Sequence, residues 1–171
     1  GLGVDTTLIY RGPLFLRGFD DSVREFVKEE IQKKGVKLKL ETQVKEITLQ
    51  GDERLLHLDD DSTITAGTVL YATGRAPNTD RLNLSAAGVM VGDRDEVLVD
   101  DFYRTNVNHI YAIGDVTDRI QLTPVAIEEG ICIASNLFTA QPDRHISYEN
   151  IATAVFCQPN IGTVGLTEAQ A

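Results

Sequence analysis

The sequence predicts an α/β fold, and three observations carry the prediction. The run DDSVREFVKEEIQKKG (20–35) has helical periodicity and lies between two short β-rich runs, VDTTLIY (4–10) and VKLKL (36–40). From VKLKL to TIT (63–65), apolar and charged residues alternate, broken by the turn-like GDER and DDDS. TVLYATGR (68–75) and HIYAIGD (109–115) are apolar runs of the kind that fill a buried parallel sheet. Residues 1–75 thus read strand, helix, strand, antiparallel excursion, buried strand. That is the second half of a nucleotide-binding α/β domain with a β-meander insertion.

Each element has a local cause. Val4, Thr6, Leu8 and Tyr10 alternate along the first strand. In the helix that follows, Asp20 or Asp21 is the expected N-cap, Val23, Phe26, Val27 and Ile31 form one face, and Lys33, Lys34 and Gly35 mark the end. The turn chemistry of Pro77 and Asn78 marks a domain crossing, EVLVDDFYRT (96–105) offers a short strand, and HIYAIGD a buried one. LTPVAIEEGICIASNLF (122–138) reads as a long helix with Thr123 as N-cap and Pro124 at the first helical position. Beyond Ser147 the pattern turns strand-like in AVFCQPNIGTVGL, interrupted by Pro159 and Gly162, and TEAQA at the end is helix-like.

The totals bound the function. The chain has 171 residues and a formal net charge of −10, which argues against nucleic acid or an anionic membrane as a general partner. No apolar run approaches the roughly 20 residues that span a bilayer. The start without Met and without a signal peptide is expected of a piece of a longer chain. Cys132 and Cys157 form no C-x-x-C motif, and with His57, His109 and His145 scattered, no metal-ligand spacing is present. Two ordinary thiols and no targeting segment fit a cytoplasmic setting.

Two features carry chemistry. Arg11 and Arg17 lie six positions apart on the loop after the first strand, where a dinucleotide-binding unit that prefers an unphosphorylated ribose has an acid. Cations there suit a 2′-phosphate, while a pair of solvated loop arginines is the plain alternative. Gly1-x-Gly3 is no G-x-G-x-x-G fingerprint, since it follows no strand and opens no helix. The second feature is IYAIGD: Gly114 would let a ligand approach the backbone, and Asp115 offers two acceptor oxygens for hydroxyls. Eight residues on, LTPVAI opens a helix whose free N–H groups and positive end could face an electron-rich ligand atom. Gly130 in mid-helix calls for close packing against a neighbouring element or a cofactor.

As a set, LIYRG…LRGFDD, YATGRAPNT, YRTNV…IYAIGDVTDRIQLTPVAI and TAVFCQPNIGTVGLTEAQA resemble the pyridine nucleotide-disulfide oxidoreductases, and among them the glutathione reductases. The likeness runs the length of the chain. It implies part of a FAD/NAD(P)-binding Rossmann-like two-domain fold, followed by the start of an α+β dimerisation domain. Residues 1–77 would be the latter part of an NADPH domain, 78–148 a central FAD-contacting segment, and 149–171 the start of a dimer-interface domain.

By the same resemblance, Arg11 and Arg17 grip the 2′-phosphate of NADPH. Gly74 lies beside the nicotinamide ribose and pyrophosphate, and Asp115 bonds the ribityl chain of FAD. Leu122 and Thr123 bring a backbone N–H to the flavin's pyrimidine edge, with the helix from Pro124 behind it. Phe156 stands where the interface domain begins. The implied substrate is glutathione disulfide, and the implied assembly a homodimer. The family's redox cysteine pair and catalytic histidine have no counterpart here, and Cys157 is no substitute, so the chain by itself is expected to be inactive. Trypanothione reductases share YRG and RGFD; dihydrolipoamide dehydrogenases fit less well, because an NAD enzyme wants an acid near Arg11. A non-catalytic nucleotide-binding module is the alternative of another class.

Overall fold

The computed structural model describes residues 2–140 and 142–171, so Gly1 of the Gly1-x-Gly3 pair lies outside the described residues. The chain divides into two compact units. One takes the residues up to Tyr71 together with Glu149–Ala171, and the other is Ala72–Tyr148.

The first unit opens with the expected strand–helix–strand. β1 (Thr7–Ile9) and β2 (Lys37–Lys39) pair in parallel, Thr7 opposite Lys37 and Ile9 opposite Lys39. A parallel pair needs a crossover, and α1 (Asp21–Lys33) supplies it. Only Val27 of the expected apolar face is fully buried, and Phe26 stays half exposed. The helix stops as its sequence requires. Gly35 takes φ +87° and donates to the Gln32 carbonyl, and Val36 N–H reaches back to Ile31. Those two bonds close a Schellman motif, which wants glycine at its left-handed position. At the other end Asp20 holds the N-cap position but makes no capping bond with its side chain. Its carboxylate accepts the Glu168 N–H at 2.6 Å instead, so a backbone donor 148 residues away displaces the expected local one.

The meander forms as alternation dictates. β3 (Val44–Gln50), β4 (Glu53–Leu58) and β5 (Thr63–Ala66) pair antiparallel in that order. Leu56 and Leu58 are buried, while Leu49 is left in solvent. Val44 and Ile47, three apart, cannot share a face of a regular strand. A register shift between Val44 and Glu46 resolves this, placing Val44 opposite Leu58 and Ile47 opposite Leu56. The DDDS turn is organised by Asp60, whose Oδ1 accepts both Ser62 N–H and Ser62 Oγ–H. At the end of the unit, β6 (Thr153–Val155) and β7 (Ile161–Thr163) make an antiparallel hairpin; Pro159 falls in its loop and Gly162 stays in β7. TEAQA is a turn closed by Gln170 N–H and Ala171 N–H on the Thr167 carbonyl, not a helix.

The second unit departs most from expectation. TVLYATGR, which passes from the first unit into the second after Tyr71, forms no strand, and its Leu70 and Tyr71 are 86% and 63% exposed. EVLVDDFYRT and HIYAIGD contribute only isolated antiparallel bridges, Val91 with Val97 and Arg104 with Tyr111. The reason is pairing. A buried parallel strand has a neighbour on each side, and among the described residues no ladder flanks these runs. Apolar composition alone cannot supply one.

What the second unit has instead is α2 (Thr123–Phe138), with Val125, Glu129 and Cys132 buried along one face. The helix begins one residue earlier than expected: Leu122 is the N-cap, and Thr123 is already helical. The unit also buries Val89, Val97, Thr105, Thr117 and Tyr103. Asp100 Oδ1 accepts the N–H groups of Phe102 and Arg104, which holds Tyr103 at φ +66° with its ring wholly buried.

Candidate functional site

The predicted site residues fall in both units, Arg11 and Arg17 in one, Gly74, Asp115, Leu122 and Thr123 in the other.

The arginine loop leaves the C-terminal end of β1, the end where α/β sheets bind ligands. Its near side is tied to the chain after β2, Thr42 N–H to the Tyr10 carbonyl and Glu41 N–H to that of Gly12. Arg11 and Arg17 are both exposed, and neither takes part in an ion pair or hydrogen bond with a described residue. Two unneutralised guanidinium groups on one short loop, in a chain of net charge −10, leave their donors available to an anion.

In the second unit the two site glycines have different causes. A Cβ at Gly74 would meet nothing within 4 Å, and the residue is held by its backbone, φ +133°. The exposed backbone at Gly74 thus has open space above it. At Gly114, φ +67°, a Cβ would come within 3.0 Å of Ala126 Cβ on α2. The left-handed backbone and the close packing of this turn against α2 both call for glycine at 114. At Gly130 a Cβ would lie 3.4 Å from Ile113 Cδ1, an ordinary contact, so packing does not require glycine there.

Asp115 follows Gly114 in a short 3-10 turn, Gly114–Thr117. Its carboxylate pairs with Arg75 Nη2 at 2.5 Å, the arginine side chain largely in solvent and that of Asp115 about half exposed. An exposed pair of this kind is worth at most about 1 kcal/mol, so it does not bar a ligand hydroxyl from Asp115. The pair also brings Asp115 to the residue next to Gly74. Asp118 braces the onward chain, accepting from Gln121 Nε2 at 2.8 Å and pairing with Arg94 at 2.6 Å. The chain then enters α2, whose N-terminus carries no side-chain cap. Thr123 is exposed, and the first-turn N–H groups and the positive end of the helix dipole are left for an outside acceptor.

Beneath these residues lies a network that sequence reasoning missed. Glu129 is 1% exposed. Its Oε2 accepts the Gly114 N–H at 2.6 Å, and its Oε1 accepts the Tyr148 hydroxyl at 2.6 Å. Arg119 donates to the Tyr148 oxygen at 3.1 Å and to the carbonyls of Val99 and Asp100, and its guanidinium stands over the rings of Tyr103 and Tyr148. The Tyr103 hydroxyl accepts the Ile146 N–H at 3.1 Å. One signal was available: Glu129 stands four residues after Val125 and three before Cys132, an acid in the middle of an apolar helix stripe.

Burial, then the neighbouring Glu129 carboxylate, pushes the Tyr148 phenol well above the ordinary tyrosine value; burial is the main cause for Tyr103 as well. Both therefore stay neutral in the fold after an unfolded tyrosine ionises near pH 10. Their contribution to stability is complete below that pH and is lost as pH rises through the folded values. Tyrosinate absorbance in an alkaline titration should show a late-ionising fraction. That fraction should shrink in both Tyr148→Phe and Tyr103→Phe, and no change in either would show the two phenols to be solvated.

Cys132 is fully buried, and Cys157 is a half-buried free thiol whose Sγ lies 3.0 Å from the Pro159 carbonyl. Among the described residues no group of three His, Cys, Asp or Glu side chains could hold a metal ion, and no helix is long and apolar enough to cross a membrane.

The profile of the pyridine nucleotide-disulphide oxidoreductases matches residues 1–130. The chain belongs to that family. Within it, the chain is 41% identical over 173 aligned positions to a glutathione reductase of Burkholderia cepacia, covering 100% of this chain and 38% of the relative. It is 40% identical over 171 positions to a trypanothione reductase of Trypanosoma congolense, covering 99% of this chain and 35% of the relative. Among solved structures, the HOCl-induced flavoprotein disulfide reductase RclA from Escherichia coli superposes with a TM-score of 0.92 at 26% identity, covering 98% of this chain and 38% of RclA. LpdA from Mycobacterium tuberculosis gives 0.87 at 28%, covering 98% of this chain and 36% of LpdA. This chain thus spans little more than a third of the length of the family members it matches. The α/β character read from the sequence agrees with these neighbours, although several strands expected of it lack partners here.

Proposed function

We propose that the chain is part of an NADPH-dependent flavoprotein disulfide reductase that reduces glutathione disulfide. One observation carries the reading: two exposed, unneutralised arginines flank the loop at the C-terminal end of β1, directly after the first strand of a parallel β–α–β unit. Arg11 and Arg17 would hold the 2′-phosphate that separates NADPH from NADH. In this assignment residues 1–77 belong to the NADPH domain, 78–148 contact FAD, and 149–171 begin the interface of a homodimer. Two free thiols accord with the cytoplasm as its compartment.

The residues of the second unit fit FAD. Asp115 has an exposed carboxylate held only by a weak pair, Gly74 has open space above its backbone, and the start of α2 has uncapped N–H groups. When bound, FAD would supply the two-electron chemistry that joins a nicotinamide to a disulfide. Asp115 would accept from ribityl hydroxyls. The Thr123 N–H would donate to the pyrimidine edge, where the positive helix end favours added negative charge, while the Leu122 N–H is given to the Ile120 carbonyl at 2.9 Å. Gly74 would let the dinucleotide lie against the chain.

The test is turnover by the natural-length protein. NADPH oxidation on adding glutathione disulfide is expected, with NADH a poor substitute and with trypanothione disulfide and lipoamide slower acceptors. Equal use of NADH and NADPH would reject the nucleotide assignment, and preference for another disulfide would reject the substrate. Asp115→Ala should weaken flavin binding about 10- to 100-fold, the loss of one or two charge-assisted hydrogen bonds. Full FAD occupancy after exhaustive dialysis of that variant would refute the ribityl role.

A further inference from the structure

The arginine loop is held by a third arginine that the nucleotide reading does not use. Arg24, in the first turns of α1, has a side chain only 17% exposed. Its Nε donates to the Phe15 carbonyl at 2.8 Å, its Nη2 to the Leu14 carbonyl at 2.5 Å, and its Nη1 to Asp21 Oδ1 at 2.6 Å. Leu14 and Phe15 directly precede Leu16, a non-glycine residue in the left-handed region at φ +57°. Such a conformation persists only where its surroundings impose it. Here the clamp on the two preceding carbonyls lies on one side of Leu16, and the Phe19 N–H bond to the Leu16 carbonyl, 3.2 Å, lies on the other. Arg17 is the next residue, and Gly18 at φ +96° completes the bend.

We propose that Arg24 is a positioning residue for nucleotide selectivity, clamping the Leu14 and Phe15 carbonyls so that the Leu16 turn displays Arg17 outward. The proposal rests on the reading of Arg11 and Arg17 as 2′-phosphate ligands. Two further features support it. Arg24 is neutralised by Asp21, so it does not compete for the phosphate, and Asp21 is kept from acting as a free repelling charge at the start of α1. The geometry also needs a guanidinium. Three donors serve three acceptors in fixed directions, which the compact ammonium of lysine cannot reproduce. A loop ordered in advance loses less freedom when it binds, so its loss should weaken the 2′-phosphate contact and spare the rest of the nucleotide.

The experiment uses the natural-length protein with 2′,5′-ADP and ADP as probes in calorimetric titrations. Arg24→Gln should weaken 2′,5′-ADP about tenfold and leave ADP within about twofold. Arg24→Lys should fall between Arg24→Gln and the parent. In turnover, KM for NADPH should rise with kcat and the NADH kinetics unchanged, and amide exchange at Leu16–Gly18 should quicken. Unaltered 2′,5′-ADP affinity in Arg24→Gln overturns the proposal, as does equal weakening of both probes, which would mark Arg24 as a general support of the unit. The two readings fail separately. If Arg11→Ala with Arg17→Ala shows no selective loss of 2′,5′-ADP, the phosphate assignment itself falls, and the role of Arg24 with it. If that pair shows the loss and Arg24→Gln does not, only the role of Arg24 is rejected.

Discussion

Glu129→Leu should lower the local stability of the Ala72–Tyr148 unit by about 3 kcal/mol, because it strands two donors at once. The carboxylate is the acceptor for the Gly114 N–H and for the Tyr148 hydroxyl, and at 1% exposure no water replaces it. Leaving a buried donor without a partner costs about 1–3 kcal/mol each, and the apolar gain from leucine offsets only part of that. Glu129→Gln should cost about 1 kcal/mol. Its carbonyl oxygen can still accept from Gly114 and its amide can donate to the Tyr148 oxygen, provided the phenol proton turns away. Amide exchange of Gly114 under mild urea reads this local opening directly, without requiring the whole protein to unfold in one step. The consequence should extend to the site, since Gly114 precedes Asp115 and packs on Ala126 in the first turn of α2. Equal protection of Gly114 in the leucine variant and the parent would show that the network organises nothing.

The double variant Arg11→Ala with Arg17→Ala should lower kcat/KM for NADPH by about 10²–10³-fold, with NADH changed by no more than about twofold. Each guanidinium-to-phosphate bond is worth about 1.5–3 kcal/mol, and about 1.4 kcal/mol is a factor of ten. Neither side chain has a partner among the described residues, so removing them should leave stability untouched, which makes the kinetics easy to interpret. Raising the salt should mimic part of the loss, because exposed charges are screened. Steady-state kinetics with both nucleotides decide the matter. A parallel fall for NADH would mean that the loop binds what the two cofactors share, not the group that distinguishes them.

The elements legible in the sequence are those whose cause is local. The α1 stop at Gly35, the meander turns at Gly51 and Asp60, and the long helix with Pro124 in its first turn all depend on residues within a few positions of each other. The strands expected at TVLYATGR and HIYAIGD did not form as such, because a strand is completed by a neighbour and composition does not name one. Asp20 shows the same limit at one residue. Its place as N-cap was readable, but its carboxylate went to Glu168 N–H.

By itself, the sequence determined the helix–strand periodicities, the family to which the chain belongs, and the presence of two arginines on the loop after the first strand. Tertiary structure alone decided which groups hold those residues in place. Glu129 acts on partners 15 and 19 residues away, and Arg24 on carbonyls 9 and 10 residues away. It also separated two glycines that look alike in sequence: Gly114 is glycine because its left-handed turn packs against α2, Gly74 because its backbone turns in open space. The physical reason is range. A helix or a turn is fixed by sterics and hydrogen bonds between near neighbours, whereas a buried donor takes whichever acceptor the packing delivers.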